Sequence, residues 1–200
     1  LTDQDAEATA FYNQVYSNLT LDELSPGAPI IDDLESYLQP GAQVLEIGGG
    51  VGRNVLPIAG KDRAVTSVDT SEEGTARLRE FAAELGIGEF VTAIEGDALA
   101  GLPAGPWDAI IMARVLHAFS YVDAVNLVAQ AQALTRPGGY HAVAVHIDPM
   151  PPPHLAGKFT TSDPTQVTTL YGGWEEMVTF SSPGCCSSLM FYGIWRKPPA

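Results

Sequence analysis

The stretch AQVLEIGGGVGRN, from Ala42 to Asn54, decides the fold of this chain. Val44-Leu45-Glu46-Ile47 reads as a short, mostly apolar strand. It ends in Gly48-Gly49-Gly50-Val51-Gly52 and runs into a segment, Gly52 to Ala59, expected to be helical. A strand, a glycine loop and a helix in succession place bare backbone where a ligand must approach closely. Dinucleotide enzymes set G-x-G-x-x-G in the same context. Counted from Gly48, however, the third position of that fingerprint is Arg53, a bulky side chain where helix and strand should pack closest.

Outward from the loop, short apolar runs alternate with amphipathic segments. Strand AVTSVD is followed by a helix from Glu72 to Leu85 and by strand FVTAIE. Strand DAIIMAR, a helix from Val122 to Leu134, a stop at Pro137-Gly138-Gly139 and the apolar strand YHAVAVHI come next. Such runs suit parallel strands covered on both faces. Before the loop, Ala6 to Tyr16 carries Phe11, Tyr12, Val15 and Tyr16 at helical spacing, and Ile30 to Leu38 forms a second periodic stretch. After it, a proline-rich loop from Asp148 to Ser162 leads to a short helix over Thr165 to Tyr171. The strands WEEMVTFSS and SLMFYGIWRK then flank the turn SPGCCS. These residues alone lead to an α/β chain with a parallel sheet ending in a hairpin. Two hundred residues suit one domain.

Three acidic or glycine-bearing turns fall in register with the loop. Asp69 closes the second strand, where a carboxylate can accept hydrogen bonds from vicinal ribose hydroxyls; Thr70 follows it. Glu95-Gly96-Asp97-Ala98 follows the third strand. Read alone, Asp69 is also a residue ahead of a helix N-terminus and Asp97 a turn cap. The fourth strand runs toward Ala113, Arg114 and His117, which belong at the carboxyl edge of the sheet, and LTRPGGY is the helix-to-strand turn before the fifth.

Taken in order, E-x-G-x-G-x-G, Asp69, the Glu95–Ala98 turn, the PWDAIIMARVLHAF strand and the LTRPGGY turn resemble the class I, Rossmann-like S-adenosylmethionine-dependent methyltransferases over about Val44 to Ile147. Gly-Arg-Asn after the loop, Arg-Pro-Gly-Gly-Tyr and Tyr171-Gly172-Gly173-Trp174-Glu175 are similar to the tellurite-resistance methyltransferases and their small-molecule relatives. Gly49 departs from them, standing where relatives often carry cysteine or serine. The resemblance implies S-adenosylmethionine as cofactor and S-adenosylhomocysteine as product. As fold it implies α/β, a three-layer sandwich around a seven-stranded, mostly parallel sheet of order 3-2-1-4-5-7-6, last strand antiparallel, with helices on both faces. As organisation it implies a single domain with a helical lid at 1–40, a cofactor-binding core at 41–147 and a substrate side at 148–200. The cofactor residues it implies are Tyr12, Glu46, Gly48, Gly49, Gly50, Asn54, Asp69, Thr70, Gly96, Asp97, Ala98 and Ala113.

Methyl transfer from a sulfonium is an in-line displacement from an already activated group, so the protein mainly positions the acceptor and excludes water. An oxygen or nitrogen acceptor wants a base, and His117, His146 and Asp148 fall at the sheet's carboxyl edge; a hydrogen-bonded structural or surface residue is the plainer reading of each histidine. Arg114 suits an anionic substrate group and Tyr16 the catalytic side of the lid, with a surface arginine and ordinary helix packing as the plain alternatives. Cys185 and Cys186, the only cysteines, lie in the hairpin turn, and no metal site is expected. Ten Lys and Arg against 24 Asp and Glu give a formal charge of -14, which repels a phosphate backbone, so nucleic acid is not an expected partner. Without an eighteen-residue apolar run or a recognisable leader, the expectation is a cytoplasmic monomer or homodimer acting on a small molecule. The competing readings are a catalytically silent S-adenosylmethionine-binding protein and, opposed by Arg53, a nicotinamide-dependent oxidoreductase.

Overall fold

The structure, a computed structural model, describes residues 3–60, 62–147, 163–183 and 189–200. Counted along the chain, its strands follow the order 3-2-1-4-5-7-6 in one seven-stranded sheet, the order that the family resemblance implies. The chain divides into two compact units, Leu1–Gly101 and Leu102–Ala200.

The first unit holds α1 (Asp3–Tyr16), α2 (Ile30–Tyr37), β1 (Gln43–Ile47), β2 (Ala64–Asp69), α3 (Glu72–Glu84) and β3 (Val91–Glu95). β1 and β2 pair in parallel with Ile47 opposite Val68, and β2 pairs with β3 with Asp69 opposite Glu95. That register brings the residues following all three strands to one edge. In α3, Ser71 caps the N-terminus by accepting from Gly74 N at 2.9 Å, and Glu72 and Glu73 complement the dipole of the first turn. Gly74, Thr75, Leu78, Phe81 and Ala82 form its buried face. Gly86, at φ +70°, ends it: Ile87 N bonds to Ala82 O at 2.9 Å and Gly86 N to Ala83 O at 3.0 Å.

Two expectations in this unit are corrected. Gly52 to Ala59 is a chain of turns and not a regular helix, because Pro57 has no N–H to give the Arg53 carbonyl. Only Leu56 N to Gly52 O (2.9 Å) and Ala59 N to Val55 O (2.8 Å) keep the helical spacing, mixed with shorter loops such as Ile58 N to Val55 O. Val55 and Ile58 are nevertheless fully buried, so the apolar pattern reports burial there and not helix. In α1, Phe11 and Val15 are 60% and 44% exposed, so the expected apolar face of that helix is not covered.

The second unit holds β4 (Trp107–Ala113), α4 (Tyr121–Leu134), β5 (Thr135–Ile147), α5 (Thr165–Leu170), β6 (Glu175–Pro183) and β7 (Leu189–Arg196). Every residue of β4 is buried, as a strand covered on both faces requires. β5 runs parallel to β4, and β7 is antiparallel to both β5 and β6. The expected stop at Pro137-Gly138-Gly139 is instead taken up inside β5. Trp107 faces Thr135 and Ala109 faces Tyr140, so extra residues bulge between two paired stretches. Gly138, at φ +78°, donates from its N to Lys197 O at 3.0 Å, and Lys197 N returns a bond to Gly139 O at 2.8 Å. α4 begins at Ser120, which accepts from Asp123 N at 3.1 Å, and buries Ala124, Leu127, Val128 and Ala131.

Candidate functional site

In the first unit the glycine loop is built so that each glycine answers a separate demand. Gly48, Gly50 and Gly52 have φ of +72°, +51° and +87°, the left-handed region that costs other residues most. Gly49 has an ordinary φ but no room: a Cβ there would lie 2.0 Å from Ser67 Oγ and 2.7 Å from Glu46 Oε2. The departure at Gly49 noted in the sequence is thus explained by a serine one strand away. Gly52 packs against α3, where an added Cβ would meet Leu78 Cδ1 at 2.3 Å.

Beneath the loop lies a buried polar buttress. Glu46 is fully buried, and its Oε1 accepts from Asn54 Nδ2 at 2.6 Å. The other end of the Asn54 amide accepts from Ala28 N at 2.8 Å, tying in the segment ahead of α2. Both polar ends of Asn54 therefore serve the protein, and Glu46 faces inward. These two residues hold the loop's shape.

Asp69 stands at the loop's mouth. Its Oδ2 accepts from Gly50 N at 2.8 Å and its Oδ1 from Ser71 N at 2.8 Å. Burial raises its pKa, opposed by the backbone donors of Ser71 and Gly50. A carboxylate has about four lone-pair sites, so two backbone bonds leave acceptor capacity for hydroxyls. Gly96 N bonds to Asp69 O at 2.9 Å, which sets the next turn beside it. There Ala98 is buried and Asp97 is half-buried, its Oδ1 accepting from Leu99 N at 2.9 Å, the turn-cap geometry.

α1 is fastened across this edge. Thr9 and Thr70 share a hydroxyl bond at 3.1 Å, and Asn13 Oδ1 accepts from Ser71 Oγ at 2.6 Å. Arg77 donates to Ser17 O. Tyr16 covers the loop, its hydroxyl 2.7 Å from where a Gly50 Cβ would stand. Tyr12 stacks on Tyr16 at 5.7 Å and is 41% exposed. Asn13 and Ser67 escaped the sequence reading; a serine within the apolar alternation of AVTSVD was the one signal available for the second.

In the second unit, Ala113 is buried at the end of β4, and Arg114 follows with φ +60°, its N bonded to Ala144 O at 2.8 Å. His117, in the single 3-10 turn Leu116–Ala118, meets His146 edge to face at 5.1 Å between ring centres; both are half-buried. The two rings thus meet beside the ends of β4 and β5. Asp148, the proline loop, Cys185 and Cys186 lie outside the described residues.

A third histidine was not singled out by sequence. His141 is fully buried in β5, with Nε2 2.8 Å from Thr135 Oγ1 and Nδ1 3.0 Å from the Tyr171 hydroxyl. Thr135 Oγ1 donates to Ala131 O at 2.8 Å, so it must accept from His141 Nε2–H; Nδ1 then accepts from Tyr171. The proton order of the chain is determined. Burial lowers the His141 pKa to about 3, a backbone bond to Ala131 raising it and Lys197 lowering it further; burial lifts the Tyr171 phenol above its usual range. Tyr171 also stacks on Trp195 at 4.2 Å and 4°, and Trp174 lies 4.7 Å from His141. The Tyr171–Glu175 motif thus supplies core packing around a buried histidine.

Residues 44–139 match the family described as "Methyltransferase domain". Over that stretch, just under half of the chain, the sequence is similar to that family, and the fold is shared with the solved structures that follow. No curated protein matches the sequence significantly. Among solved structures, TehB from Haemophilus influenzae is similar at 20% identity and a TM-score of 0.74, over 86% of this chain and 62% of that one. The Burkholderia thailandensis 1,6-didemethyltoxoflavin-N1-methyltransferase, solved with 1,6-didemethyltoxoflavin and S-adenosylhomocysteine bound, is similar at 18% identity and TM-score 0.78, over 97% of this chain and 87% of its own. The [4+2]-cyclase SpnF is similar at 16% identity and TM-score 0.70, over 86% of this chain and 81% of its own. Among the described residues, no group of three or more His, Cys, Asp or Glu is placed to hold a metal, and no helix is long and apolar enough to cross a membrane.

Proposed function

We propose that this chain is an S-adenosylmethionine-dependent methyltransferase (EC 2.1.1.-) acting on a small-molecule acceptor. The observation that carries the reading is the junction at Gly50 and Asp69. A loop with left-handed glycines at 48, 50 and 52 is bonded through Gly50 N to a carboxylate at the end of the next strand. Asp69 would hold the ribose hydroxyls, the loop backbone would allow the close approach of the amino-acid end, and the Gly96–Ala98 turn would receive the adenine. When bound, the cofactor supplies an activated methyl group: the acceptor's lone pair bonds to the methyl carbon while the carbon–sulfur pair returns to sulfur. Glu46 and Asn54 act one layer below, as positioning residues.

Tyr16, which lies over Gly50, would keep water from the loop. His117 and His146 form a pair from which one imidazole takes the proton of a hydroxyl or amine acceptor, while a thiolate or chalcogen oxyanion needs no such step. The fold admits a second reading, because SpnF is described as a cyclase. A binding protein without methyl transfer is the corresponding alternative here.

Titration with S-adenosylhomocysteine and with NADH, followed by transfer of labelled methyl to thiols, selenite, tellurite, phenols and amines, tests the reading. Binding of the first ligand with turnover on one acceptor class is expected. Binding without turnover on any class supports the silent reading, and binding of NADH alone overturns both. We further place the protein in the cytoplasm as a monomer or homodimer without a nucleic-acid partner, in keeping with its formal charge of -14.

A further inference from the structure

We infer that Arg114 selects the acceptor, and that the acceptor carries an anionic group, a carboxylate or another oxyanion. The inference rests on the proposed methyl-transfer reading and narrows it. Its first support is the cation inventory. Arg63, Arg77, Arg136 and Arg196 each face a carboxylate, and Arg79 and Lys197 donate to backbone carbonyls. Arg53 and Arg114 do neither among the described residues. In a chain with 24 acidic residues against 10 basic ones, a half-buried guanidinium that meets no described carboxylate is an exception needing a reason.

The second support is backbone conformation. At φ +60°, Arg114 occupies the left-handed region that glycine enters at little cost and an arginine enters against steric resistance. The chain uses glycine freely for that purpose, at Gly48, Gly50 and Gly52 among others, yet not here. The strained conformer is held by the bond from Arg114 N to Ala144 O. Retention of strain where glycine would remove it points to a task for the side chain.

The third support is position. Arg114 follows the last residue of β4, opposite Ala144 of β5. His117 comes one turn later, and its ring meets that of His146, two residues beyond Ala144. The cation that meets no described carboxylate and the paired imidazoles therefore belong to one strand end, the carboxyl edge where ligands of such sheets bind. A guanidinium presents planar, paired donors that match a carboxylate or oxyanion in two-point contact, which an ammonium cannot reproduce. Arg53 has none of this company and follows the cofactor loop instead.

The test uses the full chain saturated with S-adenosylhomocysteine and titrated calorimetrically with benzoate, selenite and, as the neutral control, benzamide. The wild type is expected to bind at least one anion at least tenfold more tightly than benzamide. Arg114→Gln should lose that preference while keeping its affinity for S-adenosylhomocysteine, and Arg114→Lys should restore part of it. Arg114→Gly should melt at a higher temperature than the wild type while losing anion binding, since it relieves the strain and removes the cation. Equal binding of anions and benzamide by the wild type, or unchanged anion binding in Arg114→Gln, overturns the inference. So does a loss of stability in Arg114→Gln with anion binding intact, which would make the guanidinium an internal ion-pair partner. Failure of the wild type to bind S-adenosylhomocysteine would instead overturn the methyltransferase reading itself.

Discussion

Acidification should destabilise this protein through His141, by an amount that follows from its surroundings. The ring is neutral and fully buried, with Nδ1 accepting from the Tyr171 hydroxyl and Nε2–H bonded to Thr135, so a second proton would have to reverse the Tyr171 bond and place a charge in the core. Its pKa falls from an ordinary 6.5 to about 3. The folded value lies below the unfolded one, so as pH falls the unfolded chain takes up the proton first. Stability is complete above 6.5, declines below it at up to about 1.4 kcal/mol per pH unit, and levels off beneath the folded value. Between about pH 8 and about pH 5 the loss comes to roughly 2 kcal/mol, and any folded value below about 4 gives the same figure. Urea unfolding of the wild type and of His141→Gln across that range measures it as the difference between the two curves, which cancels the other titrating groups. Tyr171→Phe, which leaves Nδ1 without its donor, gives an independent loss of about 1 to 3 kcal/mol at neutral pH. Parallel stability curves for wild type and His141→Gln, or a His141 ring that titrates near 6.5 by NMR, would refute the reasoning.

Two further perturbations probe the cofactor loop. Asn54→Ala removes a bond to the buried Glu46 carboxylate and one from Ala28 N, and should cost roughly 2 to 4.5 kcal/mol of unfolding free energy while weakening S-adenosylhomocysteine binding in the protein that remains folded. Gly49→Ser should destabilise the loop because its Cβ would overlap Ser67 Oγ; Ser67→Gly should recover part of that loss, so a double-mutant cycle by thermal melting should show non-additivity.

The strands and the site of the loop were legible because both depend on local signals, apolar runs of strand length and glycines at a diagnostic spacing, whereas the strand order came with the family resemblance. The failures have particular causes. Pro57 sits within a good apolar pattern, and its missing N–H turns an expected helix into turns whose side chains are still buried. Pro137-Gly138-Gly139 looks like a boundary, yet Lys197, sixty residues on in sequence from Pro137, bonds both Gly138 and Gly139 and keeps them within β5. The buttress was only half visible. Glu46 and Asn54 could be named as cofactor residues from their place in the motif, but their inward orientation depends on Ala28, which no local pattern connects to the loop. His141 and Tyr171 are joined across thirty residues by tertiary structure alone.

The central claim is that the Glu46–Gly52 loop and Asp69 form one S-adenosylmethionine site, and calorimetric titration of S-adenosylhomocysteine into the wild type and Asp69→Ala tests it most directly. Saturable binding is expected for the wild type, weakened in Asp69→Ala by about 1 to 3 kcal/mol, roughly 5- to 150-fold, through loss of the charged acceptor. Absence of binding by the wild type, or equal affinity in a folded Asp69→Ala, would contradict that claim.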